Sequence, residues 1–392
     1  MSDLHFDTLA LHAGYRAAGG GDIFPPIHMG VAFPFESGAQ AAAICAHEQP
    51  GYTYARTINP TNAVLEQRLA ALEGGESCLA TASGLAAIFV AALGLLREPG
   101  DEFVSSARLY GNTRNQFAQS LPLMGFQVHF VARPERLDEW QAAITPRTRF
   151  LFVETPSNPD LFIADVEGLA RLAHARGLAL VVDSTLATPA VLRPLALGAD
   201  VVVHSTTKYL AGHSAALGGA VVGPRDFIEP LRAGHHHYLG PTMSAFNAWL
   251  TLLGIETLAV RMPRAIASAQ RIAEFLAAHP KVRAVHYPGL PSHPQHALAV
   301  RQMGCAGTSL LSFEVAGGRE GAWAVLDRLQ VAVQATHLGG NQTIAVHPAT
   351  TTHGSLAPEV REATGVPEGL IRLSVGLEHP DDLLADLAQA LA

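Results

Sequence analysis

Three polar groups in this 392-residue chain have the types and positions to do chemistry together. Asp183 closes the apolar run Leu178-Ala179-Leu180-Val181-Val182, and Ser205-Thr206-Thr207-Lys208 follows the run Val201-Val202-Val203. The third is Ser83-Gly84, which opens the apolar stretch Leu85-Ala86-Ala87-Ile88. In open parallel sheets, ligands gather at the carboxyl ends of strands. A carboxylate and an amine at neighbouring strand ends can equally be a buried ion pair. A helix start with free backbone N–H groups suits a phosphate, although Ser-Gly is also an ordinary cap. Hydroxyls at Ser205 and Thr207 offer further donors. An anion cradle, an acid and an amine are together what pyridoxal 5'-phosphate (PLP) requires for its phosphate, its pyridine nitrogen and its aldehyde.

These groups need a sheet to carry them. Short apolar runs, among them Phe150-Leu151-Phe152-Val153, alternate with helical stretches such as 166–175. Fully apolar strands between helices predict an α/β protein with a buried, mostly parallel sheet and crossover helices. A helix is expected from about Pro60, capped by Asn59 or Thr61, with Val64, Leu65, Leu69 and Leu72 on one face and Gly74-Gly75 at its end. The first fifty or so residues, punctuated by Gly19-Gly20-Gly21 and Pro25-Pro26, lack a sustained period and predict an extended arm. Past about Thr251 come a long helical segment around 265–278, then strands, then a closing helix over 380–392. The expected division is an arm (1–58), a cofactor-binding domain (59–251) and a smaller α/β C-terminal domain (252–392).

Composition narrows the partners. Hydrophobic residues make up 48% and charged residues 15%, which argues against disorder. A net charge of -8 without a Lys/Arg block gives no electrostatic reason to expect nucleic acid or an anionic membrane. Cys45, Cys78 and Cys305 are widely spaced and odd in number, as free thiols in a reducing compartment would be. The N-terminal run has neither a basic nor an apolar region of a secretory signal. The most apolar stretch, 178–203, is interrupted by Asp183, Pro189, Arg193, Pro194 and Asp200, so it is not expected to span a membrane. A cytoplasmic location is the expectation.

The stretch Val182-Asp183-Ser184-Thr185, followed by Asp200 and then Val203-His204-Ser205-Thr206-Thr207-Lys208-Tyr209-Leu210-Ala211-Gly212-His213, resembles the PLP signature of the cystathionine γ-synthase and methionine γ-lyase family. The resemblance runs along nearly the whole chain, through Tyr54-Ala55-Arg56, Asn59-Pro60-Thr61, Leu72-Glu73-Gly74-Gly75, Leu109-Tyr110-Gly111, Glu154-Thr155-Pro156-Ser157-Asn158-Pro159, His347-Pro348-Ala349 and Arg372-Leu373-Ser374-Val375-Gly376. It implies the PLP-dependent transferase fold of type I, like that of aspartate aminotransferase. It also implies PLP as cofactor, with Lys208 as the Schiff-base lysine that later moves protons. Asp183 would face the pyridine nitrogen, Tyr110 would stack on the ring and act near the leaving group, and Asn158 would lie near the phenolic oxygen. Ser83, Gly84, Leu85, Ser205 and Thr207 would hold the phosphate, with Tyr54 and Arg56 reaching in from a neighbouring subunit of a homotetramer. Arg372 would grip the carboxylate of an amino-acid substrate in a bidentate pair, which lysine cannot do. Taken alone, Tyr110 could be a core aromatic and Arg372 a surface ion-pair residue, yet Arg372 alternates with apolar neighbours on an expected strand.

The residues that divide the family by reaction are mixed. Methionine γ-lyases have a cysteine two residues after the stacking tyrosine, where this chain has Asn112. The segments 109–117 and 244–249 look more like O-acetylhomoserine sulfhydrylases, whereas the compact length and the ending Leu383-Leu384-Ala385-Asp386-Leu387 resemble the lyases. Where many members have a serine that helps bind the substrate carboxylate, this chain has His337, with Thr352 at a neighbouring substrate position. The run His235-His236-His237-Tyr238 is expected to be a solvated turn. Adjacent histidines cannot all face one ion, so no metal is expected there, while His237 or Tyr238 aligns with a loop near the distal end of the substrate. Asn112 and His237 would make the distal pocket polar. The expected activity is γ-elimination from a γ-substituted L-2-aminobutyrate, with an oxygen- or nitrogen-containing leaving group such as that of canavanine. The alternative is γ-replacement by an O-acetyl- or O-succinylhomoserine sulfhydrylase, and a silent PLP-fold binding protein is the non-enzymatic one.

Overall fold

The computed structural model describes residues 4–19, 21–46, 48–304 and 307–392. Cys305 and the first three residues lie outside this set. Seven runs form a sheet: β1 (Ser77–Thr81), β2 (Glu102–Ser106), β3 (Gln127–Val131), β4 (Thr148–Glu154), β5 (Ala179–Asp183), β6 (Val201–His204) and β7 (Gly219–Gly223). Their order is β1-β7-β6-β5-β4-β2-β3. β7 runs antiparallel to both β1 and β6, and the other pairings are parallel. The central strands β6 and β7 are buried from end to end, and β4 at all but Arg149, as apolar strands covered by helices on both faces must be. Register sets Glu154 opposite Asp183, and Asp183 opposite Val203, so two carboxylates and the Ser205–Lys208 segment leave the sheet at one edge.

A second, mostly antiparallel sheet comprises β8 (Val282–His286), β9 (Leu310–Val315), β10 (Val333–Gln334), β11 (Ile344–Val346) and β12 (Leu370–Ser374), in the order β10-β11-β12-β9-β8. It packs on the helices Leu258–Ala277 and Pro380–Leu391 through Ile272, Leu276, Phe313, Leu373 and Leu387. The expected division at residue 252 falls within the continuous helix Ala245–Glu256.

The N-terminal segment is less extended than its composition suggests. It holds two helices, α1 (Phe6–His12) and α2 (Gly38–Cys45). Leu9 and Ala10 of α1 are buried, against α3 (Pro60–Glu73), and Ser37 caps α2 by accepting from the Gln40 N–H. Seven residues with two buried positions are too few for a period to stand out. α3 itself is capped by Asn59 and stopped by Gly74 in the left-handed region, as expected. His235-His236-His237-Tyr238 is not a solvated turn. It belongs to a helical stretch over 232–239, kinked at Gly234, in which His236 is buried while His235 and Tyr238 are exposed; burial, then the neighbouring Arg232, hold the His236 ring neutral, near pKa 4. Cys45 and Cys78 are free thiols. Among the described residues no helix is long and apolar enough to cross a membrane.

The chain beyond Lys208 is held by the helix Ala245–Glu256 and the one after it. Arg261 donates to the carbonyls of Tyr209 and Gly254, at 2.9 and 2.7 Å. A Cβ on Gly254 would lie 2.2 Å from the Ala211 oxygen. Gly254→Ala is therefore expected to destabilise the fold by roughly 1–3 kcal/mol, the usual range for overpacking, and to displace the Lys208 segment. Urea unfolding of the variant, with PLP retention measured alongside, checks this; unchanged stability and retention would mean that the contact yields freely.

Candidate active site

A cavity of about 210 Å³ opens where the carboxyl edge of the first sheet meets the second sheet. Ser83, Gly84, Leu85, Tyr110, Asn158, Asp183, Ser205, Thr207, Lys208, Thr352 and Arg372 line it, so eleven positions singled out in the sequence converge there. Two larger cavities, about 630 and 620 Å³, lie elsewhere and contain none of these residues.

One end of the cavity is built for an anion. Ser83 caps α4 (Gly84–Leu95) by accepting from the Ala86 N–H at 3.2 Å. Gly84 and Leu85 follow as the first helical residues, whose N–H groups have no carbonyl a turn earlier to bind. A Cβ on Gly84 would lie 2.6 Å from that of Ser205, so glycine is what lets the helix start approach the segment before Lys208. Thr207 is more committed than expected. Its hydroxyl donates to the Gly218 carbonyl at 3.1 Å and accepts from the Gly218 N–H at 3.0 Å. Donating to a phosphate would require that hydroxyl to turn from the Gly218 carbonyl.

Two carboxylates occupy the sheet edge. Asp183 Oδ1 accepts from the Thr185 N–H and hydroxyl at 3.0 and 2.6 Å, and Thr185 in turn accepts from the Ser205 N–H at 2.8 Å. Glu154 accepts the N–H of Tyr110 and that of Asn158, each at 2.8 Å, one on each oxygen. Burial raises both carboxyls, and Asp183 raises Glu154 further. A buried acid whose charged form is disfavoured gains from a cationic partner. Glu154 and Thr185 were not singled out in the sequence. Glu154 ends its strand in the same way as Asp183, and a hydroxyl two residues after an aspartate is a recognisable local clamp.

Of the positive groups, Arg372 is buried and Lys208 half-buried. Burial, then the nearby Arg372 charge, lower the Lys208 amine to about 8. Arg372, 1% exposed in the middle of β12, donates to the Asn158 side-chain oxygen at 3.0 Å and the His337 carbonyl at 2.8 Å, and its Nε has no partner among the described residues. A buried guanidinium without a carboxylate is a costly arrangement unless a ligand supplies one.

Five expected positions lie off the cavity wall. Asn112 reaches the site through Tyr110, donating from Nδ2 to its hydroxyl oxygen at 3.0 Å. His337 is not among the lining residues but touches one of them, with Nδ1 3.5 Å from the Lys208 Nζ. Tyr54 and Arg56 are not brought to this cavity; with His237 they form a separate cluster. There Arg56 donates to the His237 carbonyl at 2.7 Å, and His237 Nδ1 pairs with Thr57 at 2.9 Å. Among the described residues, no His, Cys, Asp and Glu side chains group as a metal site.

The chain has only two lysines, Lys208 and Lys281, so amine reactivity is easily resolved. In the cofactor-free protein, trinitrophenylation of Lys208 is expected to rise with pH through a midpoint near 8. Arg372→Leu should move that midpoint upward, because the neighbouring cation no longer opposes protonation. Peptide mapping across a pH series tests this, and a midpoint unmoved by the substitution would assign the shift to burial alone.

The cavity fits PLP: a helix start and the Ser205 hydroxyl suit a phosphate, Asp183 suits a protonated ring nitrogen, and Lys208 suits an aldehyde. Comparison with known proteins agrees. The family model described as Cys/Met metabolism PLP-dependent enzyme matches residues 7–392. An O-succinylhomoserine sulfhydrylase of Pseudomonas aeruginosa is 44% identical over 387 residues, 99% of this chain and 95% of that protein. An L-methionine gamma-lyase of Pseudomonas putida is 44% identical over 388 residues, 98% of this chain and 97% of that protein. A solved structure described as a putative O-acetylhomoserine (thiol)-lyase of Campylobacter jejuni, which carries a pyridoxyl-lysine phosphate, superposes with a TM-score of 0.96 at 35% identity, covering 99% of this chain and all of that one. With its model matched over almost the full length and the lysine, carboxylate and anion cradle gathered in one cavity, the chain belongs to the Cys/Met metabolism PLP-dependent enzyme family.

Proposed function

We propose that the protein catalyses PLP-dependent γ-elimination from an L-2-aminobutyrate bearing a polar γ-substituent, such as an acyl ester or the guanidinooxy group of canavanine. The observation that carries the amino-acid part is Arg372, whose buried guanidinium faces the cavity with only neutral oxygen partners among the described residues. A substrate carboxylate supplies the missing charge.

PLP, when bound, would supply an electron sink that acidifies the Cα proton of a substrate joined to it through its amine. The protein groups do the rest. Arg372 binds and orients the carboxylate, and Asp183 sets a negative charge against the ring nitrogen. Lys208, once displaced by the substrate amine, takes the proton from Cα; its low proton affinity favours the neutral amine that this step needs. Glu154 holds the main chains of Tyr110 and Asn158 in place. Because Asn112 donates to the Tyr110 oxygen, the tyrosine's own proton stays free for the departing γ-substituent.

A second reading, γ-replacement by sulfide or a thiol, is favoured by the relatives named as sulfhydrylases. Up to loss of the γ-substituent the same residues act. Release of 2-oxobutyrate and ammonia, measured with and without sulfide, is expected to show elimination in both; release only with sulfide absent, and a thiol-containing amino acid in its presence, would assign replacement. Canavanine or O-acetylhomoserine should turn over faster than methionine, and a clear preference for methionine would sink the polar-pocket reading. Asn112→Ala should lower kcat for the preferred substrate about 3- to 10-fold, the worth of one hydrogen bond.

We infer in addition that the active unit is a homotetramer in which Tyr54 and Arg56 serve a neighbouring subunit. Support comes from their place: Tyr54 is 46% exposed, and neither residue lines the cavity of its own chain. Mixed oligomers of Arg56→Ala and Lys208→Ala chains are then expected to regain activity that neither variant shows alone. Absence of recovery in verified mixed oligomers would count against sharing.

A further inference from the structure

The Lys208 amine meets the side chain of His337, with Nδ1 3.5 Å from Nζ, at the outer limit of a hydrogen bond. The cavity wall here is made by Thr336 and Leu338 on either side of it. His337 thus meets the amine from between two residues of the wall. Its main chain is fixed from two directions. The His337 carbonyl accepts from Arg372 at 2.8 Å, and the Gly339 N–H donates to the Ser374 hydroxyl at 2.9 Å. Gly339, with φ +78, also packs against the chain of Lys208, where a Cβ would lie 2.7 Å from the Tyr209 nitrogen. The imidazole is therefore aimed at the amine by β12 and by the Lys208 segment together.

Burial, followed by the charges of Lys208 and Arg372, holds the ring down at about 4, so it is neutral near pH 7. A neutral ring facing an amine has an acceptor to offer it, and with Nδ1 in that role the hydrogen sits on Nε2. That atom is buried without a partner among the described residues. Leaving a buried donor unmatched is unfavourable, which makes sense if the Nδ1 contact is what the position retains.

We propose that His337 is a positioning residue for Lys208: its Nδ1 accepts a hydrogen bond from the freed amine, aims the Nζ lone pair, and stabilises the ammonium formed when Lys208 takes the Cα proton. In that step the Cα–H bond breaks and its electron pair stays with the substrate carbon. An N–H bond forms on Lys208, and the resulting ammonium donates to His337 without passing its proton on. The inference rests on Lys208 as the Cα base and on nothing at the γ-carbon.

L-Norleucine, which has no leaving group, isolates the step. With the holoenzyme in deuterium oxide, exchange of its Cα proton is followed by NMR. His337→Ala is expected to lower the maximal exchange rate about 10-fold or more with little change in KM, as loss of a hydrogen bond to a charged group should. His337→Asn, whose side-chain oxygen can take the Nδ1 place, should recover to within about 3-fold of the parent. A second readout needs no turnover. In the cofactor-free full-length chain, reductive methylation with labelled formaldehyde marks the two lysines, and the Lys208 signal should titrate lower in His337→Ala and return towards the parent in His337→Asn. Equal exchange in parent and alanine variant, a loss confined to KM, or an asparagine variant as slow as the alanine one each overturns the proposal, and the KM result would put His337 on the substrate carboxylate. No exchange in the parent enzyme would instead overturn Lys208 as the base, and this inference with it.

Discussion

Two positive groups, on the half-buried Lys208 and the buried Arg372, share one cavity, and the oxygen partners of Arg372 among the described residues are an amide and a main-chain carbonyl. Withdrawing ions from water without matching charges costs several kcal/mol each. The protein tolerates this because the surrounding layers bury large apolar surfaces, from Phe103, Phe150 and Val203 in the first sheet to Phe313 and Leu373 in the second. The arrangement leaves Lys208 easier to deprotonate and Arg372 free to take a carboxylate. Both effects are what binding and deprotonating an amino acid demand.

The charges stay apart because different elements carry them. Asp183 and Glu154 leave neighbouring strands of one sheet, whereas Arg372 projects from the middle of the other. Between them, small contacts set the spacing. Gly84 lets the start of α4 meet Ser205, and Gly254 lets a helix meet the chain after Lys208. Thr185 ties Asp183 to the Ser205 main chain, and Glu154 ties the Tyr110 turn to the Asn158 turn. A shift in any of these moves a reacting group, which links core packing directly to chemistry.

Much of this was legible in the sequence. Apolar runs ending in Asp183 and preceding Ser205–Lys208 predict strands and their functional edge, since the period of burial is written in residue type. Asn59 and Gly74 marked the ends of α3 for the same local reason. The ordered motifs around Lys208, Tyr110, Asn158 and Arg372 carried the family, and the comparisons bear that out over residues 7–392. Less legible were short helices such as α1 and the buried helical placement of His236, because so few turns show no period and a histidine's burial depends on what packs over it.

The sequence by itself determined the family and with it the cofactor chemistry, since each ordered motif around Lys208, Asp183 and Ser83-Gly84 is a local feature of residue type and spacing. It also marked His337 as unusual without saying what the residue touches. Only the tertiary structure decided that His337 meets the Lys208 amine, that Thr207 is engaged by Gly218, and that Glu154 spans two turns. Those contacts join residues far apart in the chain, and their distances follow from how two sheets and the helices between them pack.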